Sequence, residues 1–120
     1  MDERIHFIEH KGKQILLIDY THAAAPQMLL LLEYARATVV REGRDSVLIL
    51  ADFEGAEVDH AVAMKMKEVL TLDRPFVKKA AWVNAEHIPH AFMENFKSFS
   101  QREIVTFKTR EEALEWLVEN

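Results

Sequence analysis

An α/β fold built on a mixed, mostly parallel sheet is what the sequence predicts, and three observations predict it. Short apolar runs alternate along the chain with longer amphipathic stretches, the pattern of strand-helix-strand units. The first two runs are separated only by a polar turn that contains Gly12, so the chain opens on a β-hairpin. Three Gly, three Pro and no Cys in 120 residues leave room for neither a low-complexity linker nor a disulfide framework, and residues 1–120 are expected to form a single domain.

Each element has its own local reason. Ile5-His6-Phe7-Ile8 alternates weakly, His10-Lys11-Gly12-Lys13 turns the chain, and Gln14 to Asp19 follows as a more apolar strand, which puts the first strand at or near a sheet edge. From Pro26 to Glu42 there is no further Pro or Gly, Leu, Ala, Glu and Arg dominate, and Gly43 closes the stretch as it closes many helices. Ser46 to Asp52 is a continuous apolar run, the mark of a strand covered on both faces. Val58, Val62, Met66 and Val69 recur at helical spacing and stop near Asp73-Arg74-Pro75. Phe76 to Asn84 is another buried-type strand, and Ile88, Phe92, Phe96 and Phe99 mark a third helix beginning beside Pro89. Glu103 to Phe107 is the last strand. Thr109-Arg110-Glu111-Glu112 is a capping box, followed by a helix with Ala113, Trp116 and Leu117 inward. The order is β-β-α-β-α-β-α-β-α, with four helices, parallel pairs made by right-handed crossovers, and the hairpin adding one antiparallel strand.

Composition excludes several chemistries. Without cysteine there is no thiol nucleophile, zinc-thiolate site or iron-sulfur cluster. Fifteen basic against 20 acidic residues, a net charge of −5, supply no basic face for nucleic acid. The charged start Met1-Asp2-Glu3-Arg4 lacks the apolar core of a signal peptide, and no run approaches the roughly 18 apolar residues of an integral membrane segment, so the expectation is a cytoplasmic protein.

The hairpin KGKQILLIDYT, the strand VLILADFEG running into a helix, the segment RPFVKKAAWVNAE and the ending REIVTFKTREEALEWL together resemble the SpoIIAA-like, or STAS/SEC14, family of small bacterial proteins, over nearly the whole chain. The resemblance implies a mixed sheet flanked by helices, no cofactor, and a regulatory, interaction or lipid-related role in place of an enzymatic one. In the family's phosphorylated members a serine sits at the start of the helix after the central strand. One match puts Asp59, His60 and Ala61 there, with Ala61 at the serine. A shifted match on Asp52-Phe53-Glu54-Gly55 puts Glu54 there, a fixed single charge against the phosphate's about −1.5 to −2. Under either match the switch position is degenerate.

Ligands of open α/β sheets gather beyond the carboxyl ends of the parallel strands. Asp19, His22, Asp52, Glu54, Asn84 and Glu86 stand there and form a candidate rim, where acid, imidazole and amide groups could converge for acid-base or metal chemistry. The competing explanation is that strand ends emerge into water and are polar for that reason. His87 and His90 can share a helix face but lack further ligands, and no catalytic cofactor or metal is expected from them. The three serines lie in no Gly-x-Ser-x-Gly elbow, and the isolated glycines build no phosphate loop. Asp52 would be the acceptor of a phosphoacceptor receiver, but the companion acids at the first strand and the late Lys-Pro are missing.

The leading functional reading is therefore a non-catalytic module that binds a protein partner. The Phe92, Phe96, Phe99 stripe offers the alternative, a carrier of a lipid or other apolar ligand, against the simpler view that it faces the core. Leu29-Leu30-Leu31-Leu32 wraps more than one helix face, so some of Leu30, Leu31 and Tyr34 are expected outward, as the seam of a twofold homodimer.

Overall fold

The hairpin forms around two residues with left-handed backbone. In the computed structural model, which describes residues 3–100 and 104–119 except the side chains of 99 and 100, β1 (Ile5–His10) pairs antiparallel with β2 (Lys13–Asp19). His10 stands opposite Lys13, leaving Lys11 and Gly12 alone at the turn with φ of 51° and 80°. Positive φ at both central residues is the type I′ requirement, whose twist matches that of the strands it joins.

Four helices and three more strands follow in the expected order. Helix α1 (Ala25–Val39) starts with Pro26 in its first turn. It ends three residues before the expected Glu42, because the Arg41 and Glu42 amides turn back to the Thr38 and Val39 carbonyls in a tighter, 3₁₀-like final turn. Strand β3 (Val47–Asp52) is buried at all six positions. Helix α2 (His60–Asp73) is capped by Asp59, whose carboxylate accepts from the Val62 amide at 2.8 Å. Strand β4 (Val77–Val83) leads to α3 (His90–Ser100) and then to β5 (Ile104–Phe107); Glu103, expected as the first residue of that strand, lies outside the described residues. In α4 (Arg110–Leu117) the Thr109 half of the capping box is present, its hydroxyl accepting from the Glu112 amide at 3.2 Å.

Sheet order is β1-β2-β3-β4-β5, with every pair after the hairpin parallel. Right-handed crossovers that step in one direction all return over the same face. Helices α1, α2 and α3 accordingly share one core with that face, while α4, following the last strand, alone covers the other. Along β3, Val47, Ile49 and Ala51 enter the three-helix core, and Leu48 and Leu50 face α4, which is why the strand reads as unbroken hydrocarbon. The charge of Lys79 in the middle of β4 has a use here. Its ammonium donates to the Trp116 and Glu119 carbonyls at 3.0 and 3.1 Å and lies 4.7 Å from the Trp116 ring centre, fastening the carboxyl end of α4. Among the described residues no helix is long and apolar enough to cross a membrane.

Candidate functional site

The parallel strands end in polar residues at one level. Asp19 closes β2, Asp52 closes β3 and the two are register partners; Asn84 follows β4 directly. Two carboxylates on neighbouring strands would repel one another unless a cation stood between them. Arg110, the first residue of α4, is that cation, with Nε 2.7 Å from Asp52 Oδ2 and Nη2 3.4 Å from Asp19 Oδ1. The other Asp52 oxygen accepts from Asn84 Nδ2 at 3.0 Å and from the Glu54 amide at 3.1 Å. Asp52 is 5% exposed, so its burial is sustained by donors on both oxygens.

Asp19 is held in a similar way. Burial pushes its carboxyl up, but hydrogen bonds from the Thr21 hydroxyl and amide, and then the charges of Arg110 and Arg4, outweigh it and leave the group below the ordinary aspartate value. Arg4 also donates to the Asp19 and Thr21 carbonyls at 2.9 and 3.0 Å, tying the start of the chain to the rim.

The loop from β3 to α2 is pinned along its length. His22 donates its amide to the Glu54 carbonyl at 2.7 Å, and His87 Nε2 donates to the Ala56 carbonyl at 2.8 Å. Glu57 accepts from the Ala25 amide at 2.7 Å, supplying the cap that Ala24 cannot give to α1. The imidazole of His22 lies over Gly55 so closely that a Cβ there would fall 2.1 Å from Nδ1, and Gly55 itself has φ of 64°. Beneath the loop runs an aromatic chain: Tyr20 on Phe53 at 5.0 Å, Phe53 on Trp82 at 4.7 Å, and Trp82 on Phe96 at 5.7 Å between ring centres.

The rim expected from the sequence is thus divided. Asp19, Asp52, Glu54 and Asn84 are gathered, with Asn84 Nδ2 also 3.5 Å from Glu54 Oε1. His22 stands 3.8 Å from Glu54, both side chains more than half exposed, a contact of little energy. Glu86 is exposed and borders a separate groove between α3 and β5. Asp59 is spent as a helix cap, with His60 and Ala61 exposed beside it. Phe96 is buried against Trp82 and Phe92 packs half-buried beside it, so both serve the three-helix core; the Phe99 side chain lies outside the described residues. On α1, Leu30 is 64% exposed, but Leu31 is fully buried and Tyr34 packs against the core. Leu31 is therefore removed from the expected outer seam: Met28, Leu31, Leu32, Ala35 and Val39 fix the phase of the helix, and Leu31 falls on its inner face.

Several contributors lay outside the sequence-based set. Arg110 reads as part of a capping box, although a cation in the first turn of a helix opposes the helix dipole and is a signal that it answers to something else. Asp73 reads as the end of a helix, yet it is 5% exposed, lines a cavity of about 70 Å³ together with Tyr20, and leaves its Oδ1 without a hydrogen-bond partner. An unsatisfied buried acceptor destabilises by about 1–3 kcal/mol. Burial raises the Asp73 carboxyl to about 7, with Arg36 pulling it down and Glu33 pushing it up. Burial, and then the Asp73 charge, push the Tyr20 hydroxyl up.

Chemically, the rim is a closed polar network. Its central carboxylate already accepts from a guanidinium, an amide side chain and a backbone N–H, so abstracting a proton would require breaking those bonds first. Among the described residues no three His, Asp or Glu side chains converge as a metal-binding group.

Neither the curated proteins nor the solved structures yield a match to the chain. A family model described as SpoIIAA-like matches residues 8–118, from the first strand of the hairpin to the end of the last helix. With its opening hairpin, its three crossovers over one face and its last helix returning over the other, the chain belongs to the SpoIIAA-like family.

Proposed function

We propose that the protein is a non-catalytic regulatory module of the STAS type, acting in the cytoplasm, which binds a protein partner through the rim and the β3–α2 loop without a serine switch. A STAS-type regulatory role is what membership of the family suggests. The observation that carries the finer reading is the pinned loop. Its exposed residues Glu54, Gly55, Glu57 and Asp59, with His60 and Ala61 in the first turn of α2, present a surface of fixed shape, and none of them carries a hydroxyl that could accept a phosphoryl group. Of the two residues that the resemblance could set at the serine, Ala61 ends in a methyl group and Glu54 in a carboxylate. A partner would therefore meet one constant surface, and binding would be regulated by the partner's abundance or state.

A lipid carrier is less well supported. Phe96 is committed to the core, the cavity beneath α2 has only about 70 Å³ against the roughly 300–1,000 Å³ of ordinary ligand pockets, and the larger groove between α3 and β5 is open and bordered by charged Glu86, Glu94, Lys97 and Lys108. The homodimer expected through α1 keeps Leu30 alone of its two leucines, a small part of the roughly 800 Å² per partner of a standard interface.

A photo-crosslinking residue placed at His60, and in a second strain at exposed Gln14 on the far end of the sheet, tests the reading in cells. A discrete protein adduct from position 60 and none from position 14 is the expected result. No adduct from either, or the same adducts from both, removes the rim as the binding face. Addition of a phosphoryl mass to the intact protein after incubation with cell extract and ATP would overturn the switch-free part.

A further inference from the structure

Helices α1 and α2 leave hydrocarbon in water beside the β3–α2 loop. Leu29 on α1 and Ala61 and Met64 on α2 line a groove of about 460 Å³, with Lys67 and Thr71 completing its outer wall. Met64 is 49% exposed, and Leu30, next along α1, is 64% exposed. The groove begins where the loop ends: Asp59 caps α2 just before Ala61, and Glu57 accepts from the Ala25 amide, about one helical turn before Leu29. Further along, the charges cancel. The Lys65 ammonium stands 3.1 Å from Glu33 and 3.0 Å from Glu68, and Arg36 also holds Glu33. At the loop end there is no such balance, since Glu54, Glu57 and Asp59 are exposed and no Lys or Arg lies between positions 54 and 61.

These features select an occupant. Both walls are helices whose backbone groups are bonded internally, so the groove offers nothing to the N–H and C=O groups of an extended strand. A chain lying there must satisfy its own backbone and bring hydrocarbon on one side, which an amphipathic helix does. The acidic end favours Lys or Arg at one end of that helix, and it repels anionic lipid headgroups, which disfavours a membrane as the occupant. We propose that the groove between α1 and α2 seats an amphipathic helix of a partner protein, with apolar residues at helical spacing on Leu29, Ala61 and Met64 and a basic end against Glu54, Glu57 and Asp59. This rests on the partner-binding reading of the β3–α2 loop and adds to it the chemical character of the partner.

The test is a methyl-detected NMR titration of the full chain with a synthetic helical peptide, leucines at i, i+3, i+4 and i+7 and lysines gathered at one end. Two controls accompany it, a peptide of the same composition in scrambled order and one with glutamate for every lysine. Saturable shifts at the Met64 and Leu29 methyls are expected, with affinity at least about tenfold above either control. Met64→Glu, at an exposed position outside the core, should weaken binding about tenfold or more. Absence of saturable shifts at those methyls, an equal response to the scrambled peptide, or unchanged affinity in the variant overturns the proposal. So do shifts of the same methyls on adding phosphatidylglycerol vesicles, or on concentrating the protein alone, the marks of a membrane or a second copy in the groove. In cells, a photo-crosslinking residue placed at Met64 should trap the same protein as one at His60. An adduct from position 60 alone overturns the groove and leaves the loop reading standing. Peptide docking at the methyls without an adduct from position 60 supports the groove and removes the loop reading.

Discussion

Asp52 and Asp73 are both 5% exposed, both at the ends of elements, and they live in opposite circumstances. Asp52 is met on one oxygen by Arg110 and on the other by Asn84 and the Glu54 amide. Asp73 has one oxygen facing no donor, in a wall that is otherwise mostly hydrocarbon. The difference shows that depth alone does not decide what a buried acid does. An aspartate supplied with donors becomes a fixed structural strut, whereas one deprived of them keeps its proton into the neutral range.

The largest expected effect is the pH dependence that Asp73 confers on stability. The Asp73 carboxyl stands at about 7 in the folded chain against an ordinary aspartate value of 3.8. Between those values the folded state holds a proton that the unfolded chain has released, so this group makes stability fall as pH rises from about 4 to 7, and the loss is complete above its folded pKa. The full difference corresponds to at most about 4 kcal/mol. The charged and titratable neighbours are Arg36 and Glu33 on α1, Tyr20 after β2, and adjacent Arg74. Hydrogen bonds from Arg36 and Lys65 hold Glu33 down at about 2, so it stays ionised through the window and does not obscure the signal. Chemical denaturation of the wild type and Asp73→Asn at several pH values should show the wild type losing stability relative to the variant from pH 4 to 7. Parallel pH profiles would show that Asp73 holds no proton in this range.

Next in size is the strut itself. Arg110→Met keeps the aliphatic stem but leaves Asp52 with a buried charge and one donor set fewer. Breaking a buried pair from one side typically loses about 3–5 kcal/mol. The Arg110 side chain is 38% exposed, and water can replace part of what it supplies, so about 2–3 kcal/mol is expected. Thermal or denaturant unfolding measures it, and a double-mutant cycle with Asp52→Asn isolates the pair. A loss below about 0.5 kcal/mol would make the rim an ordinary surface ion pair.

How far each region could be read from the sequence follows from the same physics. Pro26, Pro89 and Gly12 punctuate the chain locally, and the strands from Val47 to Asp52 and from Val77 to Val83 carry their burial in their own composition, so the order of elements was legible. The rim acids were legible as a group because parallel strands deliver their ends to one side. Their neutralisation was not, since Arg110 is 58 residues from Asp52 and its meaning exists only once α4 starts above β3. The phase of α1 was ambiguous for a specific reason: four consecutive leucines place hydrocarbon on every side, and only packing against the sheet assigns Leu31 inward and Leu30 outward. Asp73 was illegible because Asp-Arg-Pro is an ordinary helix stop, and nothing local tells that the chain folds over it.

The smallest expected effect concerns whether the rim's surface is as fixed as its interior. Gly55 has φ of 64°, and a Cβ at that position would fall 2.1 Å from the imidazole of His22. Gly55→Ala therefore meets two penalties, the left-handed backbone and the displaced ring. The His22 side chain is 70% exposed and can swing into water, breaking only a 3.8 Å approach to Glu54, so the second penalty is small. The backbone contributes about 1 kcal/mol, and a total of about 1–2 kcal/mol is expected in unfolding experiments. The more telling consequence is local. With the ring displaced, the loop should keep its bonds to Ala25 and His87 while the surface at His22 and Glu54 changes shape, so crosslinking from position 60 should weaken more than stability does. Unchanged crosslinking together with a visibly moved His22 resonance would show that the partner reads the loop beyond Gly55 and not the His22 side of the rim.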